Sequence, residues 1–340
     1  MTTDVTTAPP PTLLIDLATG LWRSQTLTAA IEIGTFETLA DGGATAAEFA
    51  DRVGIAARPA EILLTACTAL GLLEQRDGRY RNSAVADTYL VPGRPDYFAD
   101  YVQMVAKYTA PGWLKATEAV RTDAPTKPVP DPDRNMFEEG NRPDSFWDGL
   151  FAFSTLTARH LARAVDLSGV RRLLDVGGGA GATLLELCRQ YQHLHGTVLD
   201  LAHVCGLAQR RIDAAGMSRR VGTAAADFFN DPLPGGHDAV LLSMILHDWD
   251  EAQNRKIIAA CLDALPSGGT LLISELLVDD DKTGPADAAL MSMNMLVGCW
   301  GRNYTAAEYS GWLRDAGCSR VRTVRFDSPG ANGVVIGEKV

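Results

Sequence analysis

The run Arg171-Arg172-Leu173-Leu174-Asp175-Val176 and, directly behind it, Gly177-Gly178-Gly179-Ala180-Gly181-Ala182 decide how this chain folds. A short apolar stretch closed by glycines reads as a buried strand over 171–176. Leu184, Leu185, Leu187 and Cys188 then follow as the inner face of a helix. Glycines at such a strand-to-helix turn let the backbone close on a ligand, and unpaired N–H groups at the helix start face it. The turn therefore reads as a nucleotide-cofactor site. Alone, Gly177-x-Gly179-x-x-Ala182 fits the dinucleotide fingerprint as well.

Strand-like runs recur downstream at 196–199, 239–242, 270–274 and 333–337, separated by helical segments. Alternation of this kind predicts an α/β domain, a mostly parallel, doubly wound, Rossmann-like sheet over residues 146–340. Ligands of such sheets lie outside the carboxyl ends of the strands, and three acidic residues fall there in order. Asp200 closes the second strand at the distance where a carboxylate meets a ribose hydroxyl pair. Asp175 precedes the glycines and is able to serve a cationic amino acid tail. Asp227-Phe228, between the runs 196–199 and 239–242, offers an acceptor and a ring for an adenine. NAD and S-adenosylmethionine share the ribose; Asp175 and Asp227-Phe228 favour the latter.

Upstream, residues 1–11 are rich in Thr and Pro and read as a flexible arm. Helical periodicity occupies 12–120. Thr45-Ala46-Ala47-Glu48 has the form of a capping box, a second helix is expected through Pro59 to Ala69, and Asp77-Gly78 between Leu73 and Tyr80 signals a hairpin. Helix, helix, hairpin is a winged-helix pattern. Residues 1–100 carry 7 Arg and no Lys against 13 Asp plus Glu, the wrong sign for tracking phosphates, so the module is assigned to homodimerisation and not to nucleic acid. Pro125, Pro128, Pro130, Pro132 and Pro143 mark 121–145 as a connector, and helical spacing resumes from Phe146 to Val165.

The bulk composition agrees. In 340 residues, 46% hydrophobic, no apolar run is long enough to span a bilayer, and the N-terminus lacks the order of a signal peptide, which predicts a cytoplasmic protein without membrane association. The six cysteines form no Cys-x-x-Cys pair and have no His at zinc-ligand spacing, so no metal is expected. A formal net charge of −11 disfavours polyanionic partners and leaves a small molecule as the expected one.

With these residues in view, the chain resembles the class I S-adenosylmethionine-dependent O-methyltransferases of the plant caffeate/isoflavone type and their bacterial small-molecule and polyketide counterparts, over nearly its whole length. Asp175-Val-Gly-Gly-Gly is similar to the family's cofactor loop, Leu199-Asp200-Leu201 to its ribose segment, Ala226-Asp227-Phe228-Phe229 to its adenine segment, and Leu246-His247-Asp248-Trp249 to its catalytic motif. Phe146-Trp147-Asp148-Gly149-Leu150 with Ser154 is similar to a Phe-x-x-Gly-Met-x-x-x-Ser segment, Leu150 replacing Met. The resemblance implies that S-adenosylmethionine is held by Ser154, Asp175, Gly177, Gly179, Asp200, Leu201, Asp227, Phe228 and Ser243. It also implies that Phe146, Leu150, Met291, Asn294, Met295 and Asn303 border the acceptor.

Methyl transfer from a sulfonium needs the acceptor oxygen aligned and its proton removed. His247, beyond the strand that ends at Ser243, is the expected base. The resemblance gives Glu275 as the carboxylate that orients it. Two positions depart from the plant pattern: Asn303 stands where a second acid is usual, and Ser292 where an Asp is common. O-methylation of a phenolic or enolic hydroxyl is the leading expectation. C-methylation of a 2-oxo acid held by Arg302 is its rival, and a nicotinamide oxidoreductase or a winged-helix regulator are remoter ones.

Overall fold

The computed structural model describes residues 9–128, 137 and 139–340. The chain folds as two compact units, residues 1–106 and 107–340. The helical periodicity places the boundary at 120. It falls earlier because the helices Ala110–Trp113 and Ala116–Thr122 pack on the helix Ala286–Gly298 of the larger unit. Residues 1–8 of the expected arm, and 129–136 and 138 of the expected connector, lie outside the described residues.

The smaller unit follows its local signals. Thr45 and Glu48 close the capping box that starts the helix Ala46–Val53, and the next helix spans Ala57–Ala69. Strands β1 (Leu73–Arg76) and β2 (Arg79–Asn82) pair antiparallel around Asp77 and Gly78, whose φ values of +52° and +73° suit a tight hairpin turn. Phe36, Leu39, Phe49, Leu64, Cys67 and Leu73 are buried together beneath it.

In the larger unit β3 (Arg172–Val176), β4 (His195–Asp200), β5 (Val221–Ala225), β6 (Ala239–Ser243), β7 (Thr270–Glu275), β8 (Cys318–Arg325) and β9 (Gly333–Lys339) form one sheet. Their order is β5-β4-β3-β6-β7-β9-β8. The first five run parallel, and β9 is antiparallel to both neighbours. Alternate residues serve opposite faces, as strand geometry requires: Val240, Leu242, Leu271 and Ile273 join Ile257, Tyr309 and Trp312 on one side, whereas Ala239, Leu241 and Leu272 join Leu161, Leu184 and Ala208 on the other. Both faces are therefore covered, which makes the parallel strands near-continuous apolar runs. The pairings Val176 with Leu199 and Ser243 with Ser274 bring the carboxyl ends of β3, β4, β6 and β7 level along one edge. The β3–β6 switch point sits at its middle.

Candidate active site

Gly177 leaves β3 at φ +68°, a left-handed conformation, and a Cβ there would meet the Ile245 side chain at 2.6 Å. Its N–H donates to Leu199 O at 2.8 Å, and Gly179 N–H donates to Asp200 Oδ2 at 2.8 Å, so the glycine loop is tied to the end of β4. Asp200 Oδ1 accepts from Leu201 N at 2.8 Å. Burial raises its carboxyl to about 6. Asp175, 1% exposed, lies beneath Gly178 with neither oxygen hydrogen-bonded. Burial, and then the nearby Asp200 charge, push its pKa up to about 7. A buried acid without a partner beside a turn lined by N–H groups fits a ligand that is cationic at one end and polar along its length.

That observation carries a prediction. The folded-state pKa of Asp175 lies above its unfolded value, so its contribution to stability is whole below the ordinary carboxylate range and is lost as pH climbs through about 7. Asp175→Asn imitates the protonated form. It should raise the ligand-free melting temperature by a few degrees at alkaline pH and little at acid pH, while weakening cofactor binding. Calorimetry at both pH values, with and without S-adenosylmethionine, measures this; equal melting temperatures for the two proteins at alkaline pH would contradict it.

Asp227 has a role that its sequence motif does not announce: Oδ1 accepts from Phe229 N at 2.9 Å and Oδ2 from Asn230 Nδ2 at 2.7 Å, closing its own turn. Phe228 packs edge-on against Phe229 and Trp249, with ring centroids 4.8 and 6.2 Å away. Ser154 lies half-buried on the helix Asp144–Ala164, and Phe146, Leu150 and Ser154, four residues apart, share one face of it. Ser243 ends β6 half-buried.

His247 occupies the short 3₁₀ turn Leu246–Asp248, reached through Met244 at φ +58°. Asn254 Nδ2 holds Leu246 O at 2.8 Å and Trp249 O at 3.1 Å, and Tyr304 OH donates to Trp249 O at 2.7 Å. Gly301 presses from the far side, where any Cβ would overlap the His247 carbonyl and the Asp248 backbone. Glu275, fully buried at the end of β7, completes the arrangement. Its Oε1 accepts from Ile245 N and Leu246 N, each at 3.0 Å, and its Oε2 lies 2.6 Å from His247 Nδ1. An ionised carboxylate only accepts, so Nδ1 carries the hydrogen, and in the neutral imidazole Nε2 is left to meet a substrate proton. Burial depresses the imidazole, but the charge of Glu275 and its hydrogen bond outweigh that and lift the pKa to about 9. Asp248 Oδ1 stands 3.8 Å from Nε2, and burial raises its carboxyl to about 6.

The helix Ala286–Gly298 supplies Met291, Asn294 and Met295. Trp113 Nε1 donates to Asn294 Oδ1 at 3.0 Å, while Met295 is buried with its sulfur 3.6 Å from Cys299 Sγ. Asn303 is 2% exposed; its N–H donates to Ser292 Oγ at 3.1 Å and its amide to Leu276 O at 2.7 Å, with Oδ1 unpartnered. The two departures from the plant pattern thus touch each other. Arg302 donates to Glu308 at 2.8 Å and stacks over Tyr304, nearly half exposed. Sequence reasoning misses Met244, Trp113 and Gly301, which no spacing rule marks, and Asn254, a helix residue whose amide points back to the preceding turn.

A doubly wound sheet with this carboxyl edge, a glycine turn and a His–Glu pair defines an S-adenosylmethionine-dependent methyltransferase. The O-methyltransferase domain family matches residues 136–319 and the O-methyltransferase dimerisation domain matches residues 15–92; the chain belongs to this O-methyltransferase family. It is 82% identical, over 97% of this chain and 95% of the relative, to the 3-hydroxy-5-methyl-1-naphthoate 3-O-methyltransferase of Streptomyces sahachiroi. The N,N-dimethyltransferase OxyT of Streptomyces rimosus is 34% identical, over 93% and 92%. Human N-acetylserotonin methyltransferase, solved in complex with S-adenosylmethionine, superposes with a TM-score of 0.88 at 29% identity, over 100% of this chain and 99% of that one. The chain is an S-adenosylmethionine-dependent O-methyltransferase, in line with the leading expectation. Among the described residues no helix is long and apolar enough to cross a membrane.

Proposed function

We propose that the chain methylates the phenolic hydroxyl of an aromatic hydroxy acid of the hydroxynaphthoate class, as a cytoplasmic homodimer. The observation that carries the chemistry is the His247–Glu275 pair, 2.6 Å apart and buried at the end of the parallel strands; the acceptor class follows the 82% identical relative. Bound S-adenosylmethionine supplies a methyl group on a sulfonium. Asp175 would meet its cationic amino acid end, Asp200 its ribose and Phe228 its base, with Ser154, Gly177, Gly179, Leu201, Asp227 and Ser243 around them. His247 Nε2 takes the acceptor's hydroxyl proton, and Glu275 holds the ring so that this nitrogen faces the oxygen. Phe146, Leu150, Met291, Asn294, Met295 and Asn303 line the acceptor's place, polarizable sulfur and aromatic faces suiting a flat ring.

The homodimer is supported by the dimerisation-domain match and by apolar side chains on the first two helices. Leu13, Leu14, Ile15, Leu17, Leu21 and Trp22 are each 52–70% exposed, a concentration of apolar surface of the kind that a partner covers. The test is incubation with methyl-labelled S-adenosylmethionine and 3-hydroxy-1-naphthoate. A labelled methyl ether is expected by mass spectrometry and NMR; label on carbon or in an ester would overturn the proposal.

A further inference from the structure

The larger unit contains a buried guanidinium that no described carboxylate neutralises. Arg142 is 6% exposed, and its Nη1 donates to Pro128 O at 3.3 Å, while Nε and Nη2 have no partner. No carboxylate among the described residues forms an ion pair with it. Burial lowers its pKa, and among the described residues only the Tyr108 hydroxyl opposes this; a guanidinium does not shed its proton in a protein, so the charge stays with no described carboxylate to offset its desolvation.

Its place in the fold is informative. The guanidinium lies 5.0 Å from the centre of the Phe146 ring, the first residue of the face shared with Leu150 and Ser154. Tyr108 meets the same ring edge-on at 5.9 Å. A second cation is close. Lys127 is fixed by its N–H to Val297 O at 3.0 Å, and a Cβ on Gly298 would come within 2.5–2.9 Å of its Nζ, Cε and Cδ, so its side chain runs along that glycine. Burial lowers the pKa of the Lys127 ammonium, Asp248 opposes this, and the Arg142 charge adds to it. Lys127 is therefore within electrostatic reach of both Arg142 and Asp248, so an anion bound beside Arg142 would meet a second cation.

Nε and Nη2 form one edge of the guanidinium fork, whose spacing matches the two oxygens of a carboxylate. We propose that Arg142, assisted by Lys127, binds the carboxylate of the aromatic acceptor and so selects hydroxy acids over neutral phenols. This rests on the acceptor class proposed above. A planar acid held at this edge lays its ring along Phe146, with its hydroxyl toward Nε2 of His247.

Calorimetry on the full-length enzyme with S-adenosylhomocysteine present separates this inference from that reading, because 1-naphthoate has no hydroxyl to methylate. Wild type should bind 1-naphthoate about 10²-fold more tightly than 1-naphthamide, and Arg142→Met should bring the ratio near unity, with Arg142→Lys between them. Lys127→Met should lower it about tenfold. Thermal melts and S-adenosylhomocysteine affinity report whether each variant is folded. A wild type that does not prefer the acid, or a folded Arg142→Met that keeps the preference, would overturn the proposal. Arg142-dependent binding of 1-naphthoate without methylation of 3-hydroxy-1-naphthoate would support the anion site and refute the substrate reading.

Discussion

His247→Gln should lower kcat by about 10²- to 10⁴-fold while leaving the affinity for S-adenosylmethionine close to that of the wild type. Glutamine keeps polarity and approximate volume and loses only the basic nitrogen, and His247 lies at the strand end where an acceptor oxygen can be met, not in the glycine loop. The pH dependence sharpens the test. With the imidazole pKa raised to about 9, the free enzyme is mostly protonated near neutrality, so wild-type kcat/KM should climb with pH and level off near that value. In the variant this limb should vanish. Stability follows with the opposite slope: proton binding to His247 favours the fold fully below the ordinary histidine value of 6.5, and the contribution is lost as pH rises through about 9. A variant with the wild-type rate and the wild-type limb would remove His247 from proton transfer.

The second large effect is expected at Glu275, a positioning residue. Three donors converge on its carboxylate, and Glu275→Gln replaces one accepting oxygen by an NH₂ that faces an N–H. The loss should be about 3–5 kcal/mol of stability, since a buried charged partner is left without its counterpart. It should also cost kcat about 10²- to 10⁴-fold through a misoriented ring. A purely structural role would change the melting temperature and leave the pH profile in place. The present geometry instead requires the acid limb of kcat/KM to move downward, because burial and the Lys127 charge then lower the imidazole against Asp248 alone. Chemical denaturation and a pH–rate profile on the same preparation distinguish the two.

How much of this is legible in the sequence depends on whether a signal is local. The glycine turn, the capping box at Thr45 and the Asp77-Gly78 hairpin are readable because backbone conformation at those points is dictated by the residues themselves. The strand β8 is not: Arg320, Arg322 and Arg325 give an edge strand a polar sequence with no apolar period. Nor is β5, built from Val221, Gly222, Thr223 and two alanines. At the site, Asp175, Asp200, His247 and Glu275 can be placed because each stands at the carboxyl end of a strand, or just beyond one, in a regular sheet. The hydrogen bonds of Asp227 escape such reasoning, since a carboxylate in a turn competes for the nearest N–H groups. Arg142, in a proline-rich stretch, and Arg302, beside a glycine, look alike in sequence. One is buried and unpaired, and the other is salt-bridged at the surface. That difference is set by packing from distant segments, which no local pattern contains.

The grip of Glu275 on Ile245, Leu246 and His247 has a practical corollary for anyone redirecting the enzyme toward new acceptors. The proton acceptor and the course of the main chain are here one object, so randomising 244–248 discards folding together with chemistry. Leu150 and Met291 hang from helices whose backbones are satisfied without them. Combinatorial libraries built at those two positions should therefore return folded, active clones with altered acceptor scope.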